Sequence, residues 1–112
     1  ISLIALADDS QAPGVFQAAA DLDLSVPGDL SVLGFGNQDH RSASALGLTT
    51  VEWPLKDMTE AAVSSIINVI EGRSPMADIH PSASIDEEAP DGTPIATIPT
   101  RPVWRSSVAR RA

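Results

Sequence analysis

Three short apolar runs mark the first half of the chain, and segments with helical spacing lie between and beyond them. Residues 1–7, ISLIALA, are apolar almost throughout and end in Asp8-Asp9-Ser10. Residues 30–35, LSVLGF, repeat that character, and residues 48–53, LTTVEW, add β-branched side chains. Short continuous runs of this kind predict strands buried on both faces, as in a parallel sheet. Between the first two runs, Val15, Phe16, Ala19, Ala20 and Leu22 form one face of a predicted helix over 11–23. Asp9 or Ser10 can cap that helix, and Pro13 fits only its first turn. A strand, a helix and a second strand make a βαβ unit with a right-handed crossover.

The pattern changes after residue 36. Residues 37–47, NQDHRSASALG, read as a polar loop without period. Residues 58–71 predict the clearest helix, with Asp57 and Glu60 spaced as a capping box. Ala62, Ile66 and Ile70 share its apolar face with Val63 and Ile67, and Gly72 and Pro75 stop it. Residues 73–94 are rich in Pro, Ser, Ala and acid, which predicts a mobile or loosely packed insertion. Residues 95–107 then give one or two extended pieces, of which PVWRSS is the better strand. The fold class expected is α/β with a doubly wound parallel sheet.

Charge narrows the partners. Residues 1–100 hold three basic and fifteen acidic side chains, a net −12, while the last twelve residues carry +4. So acidic a surface repels phosphate backbones, so this segment is a poor nucleic-acid binder by itself. There is no cysteine, which removes disulfides and thiolate metal sites and fits a cytoplasmic protein. No run approaches the ~20 apolar residues of a membrane span, and no signal peptide is visible. The opening at Ile1, inside an apolar run, suggests a piece of something longer.

The candidate chemistry is mostly negative. Gly34-Phe35-Gly36 could open a dinucleotide fingerprint, but the third glycine position is Asp39, which would repel a pyrophosphate. His40 has no nucleophile elbow near it, and His80 no second histidine at ligand spacing. Asp86-Glu87-Glu88 with Asp91 does not fit a calcium loop. No metal, cofactor or enzymatic chemistry is expected. Trp53, at a strand end before Pro54, fits a core position or a ring stacked on a ligand.

Two motifs carry a family resemblance. VPGDLSVLGF (26–35) followed by LTTVEWP (48–54) resembles the C-terminal part of the lac repressor/galactose repressor family of bacterial transcription regulators, spacing included. ALADDSQAPGVFQAA (5–19), IINVIEG and RPVWRSS resemble the flanking elements of that family. The resemblance implies a periplasmic-binding-protein-like effector-binding domain, of which residues 1–112 are the C-terminal portion. The helix-turn-helix DNA reader would be absent from the chain, with operator DNA bound only through that missing part.

The resemblance also implies a cleft that takes a small-molecule effector such as a sugar or nucleobase. Strand C-termini face the cleft in such sheets, so Asp8, Gly36, Asn37 and Trp53 are the expected ligand-binding residues. The family's effector-binding Asp is Gly36 here, and its usual Asn is Asp8. Both departures point to a different effector or a degenerate sensor. A homodimer is implied through Pro13, Val15, Ala43, Ala45 and Leu46. The alternative is an extracytoplasmic sugar-binding protein of the same fold. An α/β enzyme would need a nucleophile or paired carboxylates that the sequence does not show.

Overall fold

Residues 30–36 form the central strand of the larger sheet, because an unbroken apolar run can be covered on both sides. The computed structural model describes residues 2–109. The chain divides into two units, one built from Ile1–Trp53 with Arg101–Ala112 and the other from Pro54–Thr100.

In the first unit the elements are β1 (Ser2–Ala5), a 3₁₀ turn (Asp9–Gln11), α1 (Ala12–Asp21), β2 (Leu30–Gly36), α2 (His40–Ala45), β3 (Thr49–Glu52) and β6 (Arg101–Val103). The sheet order is β1-β2-β3-β6. Strands β1 and β2 run parallel with Ser2 opposite Leu30, and β2 and β3 run parallel with Leu33 opposite Thr49. Strand β6 closes the other edge antiparallel to β3. Three parallel strands with intervening helices match the expected α/β class.

The buried core of this unit is small: Ala12 from α1, Val32 from β2, Ala43 from α2 and Leu48 at the start of β3. Ser107 is buried beside them and closes the gap where β2 and β3 begin. Its hydroxyl donates to the Val32 carbonyl at 2.6 Å and accepts the Thr49 N–H at 2.7 Å. Its own backbone accepts from Val32 N–H and donates to the Gly47 carbonyl. The tail therefore acts as a short splint between two strands.

Several local expectations are corrected. Residues 40–45 form a helix rather than a loop: Asp39 caps it by accepting from the N–H and hydroxyl of Ser42, which lets Ala43 drop into the core. Asp8, not Asp9 or Ser10, supplies the cap after β1, and it caps the 3₁₀ turn. Strand β1 is exposed along its length, with Leu3 at 57%, because it is the sheet's edge within this chain.

The second unit contains α3 (Leu55–Ile70) and a hairpin of β4 (Ser84–Glu88) with β5 (Pro94–Thr97). The helix starts at Leu55, directly after Pro54, so Asp57 lies inside its first turn. The expected Asp57/Glu60 capping box does not form, because Asp57 accepts instead from the Ser82 hydroxyl at 3.0 Å. The stretch 73–94, which offers no periodicity, contains β4 and the start of β5. Asn68 is the buried residue of α3 and donates to the Ala77 carbonyl at 2.7 Å, tying the following loop to the helix. The apolar stripe of α3 is exposed in this chain, Ile66 at 60% and Ile70 at 78%.

Candidate functional site

The C-terminal ends of β1, β2 and β3 bring together residues from three separate segments, as a parallel sheet must. After β1, Asp8 turns outward in extended backbone, and its carboxylate accepts the Ser10 N–H at 2.8 Å. The Ser10 hydroxyl and then its N–H hold the Asp8 carboxyl below the ordinary aspartate value. Asp8 is therefore an anion at neutral pH, exposed at the strand end.

After β2 the backbone turns sharply. Gly36 has φ +117° and Asn37 φ +53°, two consecutive positive values. Glycine takes the first without strain, and asparagine is among the few other residues that accept the second. The turn is held from three sides. The Asn37 N–H donates to Asp9 Oδ2 at 2.8 Å, and its side-chain Nδ2 donates to Glu52 Oε1 at 2.9 Å. Its Oδ1 accepts from the Arg105 guanidinium at 3.2 Å, while Arg105 also donates to the Leu48 carbonyl at 2.6 Å.

Glu52, at the end of β3, is paired with Arg101 of β6. That partner first, and the Asn37 amide second, hold the Glu52 carboxyl below its ordinary value. The next residue, Trp53, donates its N–H to the Gly36 carbonyl at 3.3 Å. Its ring meets Phe35 edge-on, centroids 5.5 Å apart, and stays 43% exposed. A cavity of about 360 Å³ opens beside these ends, lined by Asp8, Asp9 and Phe35 together with Asp39, Pro13 and Leu46.

The model of the periplasmic binding protein-like domain matches residues 2–108. The chain belongs to that family. Within it, the relatives are regulators of the lac repressor/galactose repressor type. The HTH-type transcriptional regulator MalR of Clostridium butyricum is 36% identical over 70 residues, which are 62% of this chain and 21% of the relative. The lactose operon repressor of Rhizobium radiobacter is 26% identical over 107 residues, covering 96% of this chain and 80% of the relative. A solved LacI-family transcriptional regulator from Enterococcus faecalis, with bound ribose, superposes with a TM-score of 0.66 at 23% identity, over 96% of this chain and 34% of that one. The chain thus spans about a fifth of the MalR relative and about a third of the solved structure.

All four expected ligand residues of this domain lie at strand ends, but in different states. Asp8 and Trp53 present exposed side chains. Gly36 is buried and offers only backbone and space. Asn37 is half-buried, with both side-chain polar atoms engaged by protein. Of the four, Asp8 lines the cavity; Pro13, Ala43 and Leu46, expected at a dimer interface, line it too. Glu52 and Arg105 were not singled out from the sequence, and Asp9 was expected only as a helix cap. Their partners lie 15 to 68 residues away, a separation at which no spacing rule operates. The one available signal was Glu52, a charged residue inside an otherwise uncharged strand.

A second cluster lies in the other unit, where Asp57, Glu60 and His80 bring three potential ligand atoms within 4.8 Å of one another. The Ser82 N–H donates to His80 Nδ1 at 3.2 Å, so Nε2 carries the hydrogen and donates to Glu60 Oε2 at 3.2 Å. A metal would need a bare Nε2 with the other nitrogen donating outward. The cluster is a hydrogen-bonded clasp between α3 and the loop after it.

Proposed function

We propose that this chain is the C-terminal portion of the effector-sensing core of a bacterial transcriptional repressor. The observation that carries the reading is that an ionised Asp8 follows β1 and a half-exposed Trp53 follows β3, both at the strand ends where such sheets bind ligands. The effector is a small molecule such as a sugar or nucleobase. Asp8 accepts hydrogen bonds from its hydroxyls or ring N–H groups, and Trp53 covers one of its faces. Gly36 leaves room where the family places a carboxylate, which favours a bulkier or less hydroxylated ligand than a simple hexose. Asn37 shapes that wall through its fixed turn.

The repressor works in the cytoplasm as a homodimer through Pro13, Val15, Ala45 and Leu46, and reads operator DNA through a domain outside this chain; Ala43, expected with them, is buried in the core and offers no surface to a partner. It performs no catalysis. The test is calorimetric titration of the full-length protein with a panel of pentoses, hexoses and nucleobases, with operator DNA binding measured alongside. A ligand that binds and shifts operator affinity supports the reading. A ligand that binds a protein indifferent to DNA would instead make this an extracytoplasmic binding protein of the same fold.

A further inference from the structure

The half-buried carboxylate of Asp9 has no assigned task, yet both of its oxygens are committed. Oδ1 accepts the hydroxyl of the buried Thr50 in β3 at 2.7 Å, and Oδ2 accepts the Asn37 N–H at 2.8 Å. Asp9 itself follows β1. One carboxylate thus ties the segment after β1 to β3 and to the turn after β2. It lies across the backbone of β2 at Gly34, where an added Cβ would overlap Oδ1 and crowd Leu48. Glycine at 34 is what lets the carboxylate reach both partners.

We propose that Asp9 is a positioning residue that fastens the Gly36–Asn37 turn at the strand ends, while its neighbour Asp8 faces outward. The link to ligand binding rests on the effector reading above; the fastening itself does not. Asn37 sits in left-handed backbone, a conformation that costs energy unless its surroundings hold it. A charge-assisted bond to its N–H is the contact that does so directly. The two adjacent aspartates therefore divide the work, one outward to ligand and one inward to the wall of the site.

The chemistry gives a specific rescue. The Asn37 N–H can only donate, but the Thr50 hydroxyl can donate or accept. In Asp9→Asn the amide oxygen takes the Asn37 N–H and the NH₂ donates to Thr50 Oγ1, so the fastening survives. Adding Thr50→Val removes that acceptor, and the cost of a half-buried unpaired NH₂ drives the side chain out toward water, taking its oxygen away from the Asn37 N–H. The measurement is single-residue hydrogen exchange in the full-length protein. It follows the Asn37 amide against a control, the Val32 amide, which donates to Ser107 at the opposite end of β2.

Asp9→Ala should speed Asn37 exchange about 10- to 100-fold, the scale of one hydrogen bond to a charged group, with Val32 unchanged. Asp9→Asn should stay within about threefold of wild type, and Asp9→Asn with Thr50→Val should return to the fast regime. Equal acceleration of Asn37 and Val32 would reduce Asp9 to a general stabilising residue and overturn the proposal. So would an Asp9→Asn variant as fast as the Asn double variant. That last comparison stands even if Asp9→Ala fails to fold. No ligand enters the measurement, so its failure is distinct from failure to find an effector.

Discussion

Trp53 stands edge-on to Phe35, ring planes 75° apart, and keeps nearly half of its surface open at the end of β3. One edge of the indole is thereby anchored while the other side remains available. An edge-to-face pair contributes about 0.5–1.5 kcal/mol beyond area burial, which fixes the ring's orientation without hiding it.

Trp53→Ala should weaken effector binding by about 1–3 kcal/mol, the scale of a buried aromatic contact, and lower folding stability less than that. Trp53→Phe should recover part of the affinity. Calorimetry on folded variants checks it. Equal affinity of wild type and Trp53→Ala would make Trp53 a packing residue for Phe35 and nothing more.

Ser107 is 2% exposed and satisfies two backbone groups at the start of β2 and β3. Ser107→Ala leaves the Val32 carbonyl and Thr49 N–H each one partner short. The expected cost is about 1–3 kcal/mol, read as a lower denaturant midpoint at unchanged slope. Ser106→Ala, on an exposed neighbour, should cost much less.

Acid should loosen the β3–β6 edge. The folded pKa of Glu52 is depressed, chiefly by Arg101, so its contribution is present in full above the ordinary glutamate value. It is lost as pH falls to and through the lower folded value. Arg101→Gln should flatten that acid limb by lowering stability modestly near neutrality, and the two proteins should converge once Glu52 is protonated. Arg101 is mostly exposed, so added salt should weaken the effect. An acid limb identical in wild type and variant would place the pH dependence elsewhere.

The proposed dimer makes a separate prediction. Ala45 is exposed at the end of α2, in the segment assigned to the interface. Ala45→Glu places a carboxylate on each side of a self-complementary contact and should shift the full-length protein toward monomer in sedimentation. A variant that remains dimeric at the wild-type concentration would move the interface off α2.

Local pattern was enough for the elements whose signal is internal. The apolar run 30–35 read as a buried strand, and the spacing from Ala62 to Ile70 read as a helix. The motif pair 26–35 and 48–54 carried the family. Short elements escaped because their stabilisation is tertiary: α2 is six residues long and depends on Ala43 reaching the core. The hairpin in 84–97 has no apolar alternation, since every strand residue in it is exposed.

The same division runs through the site. Strand order places Asp8, Gly36 and Trp53 at the ends of a parallel sheet, and that order follows from a βαβ pattern legible in sequence. Which carboxylate faces outward and which inward was decided by contacts no spacing encodes. Asp8 and Asp9 are chemically identical neighbours, yet only Asp9 meets Thr50 and the Asn37 N–H. Hydrophobic periodicity specifies which face of an element is buried. The partner of a polar side chain depends on three-dimensional approach, here across the gap left by Gly34.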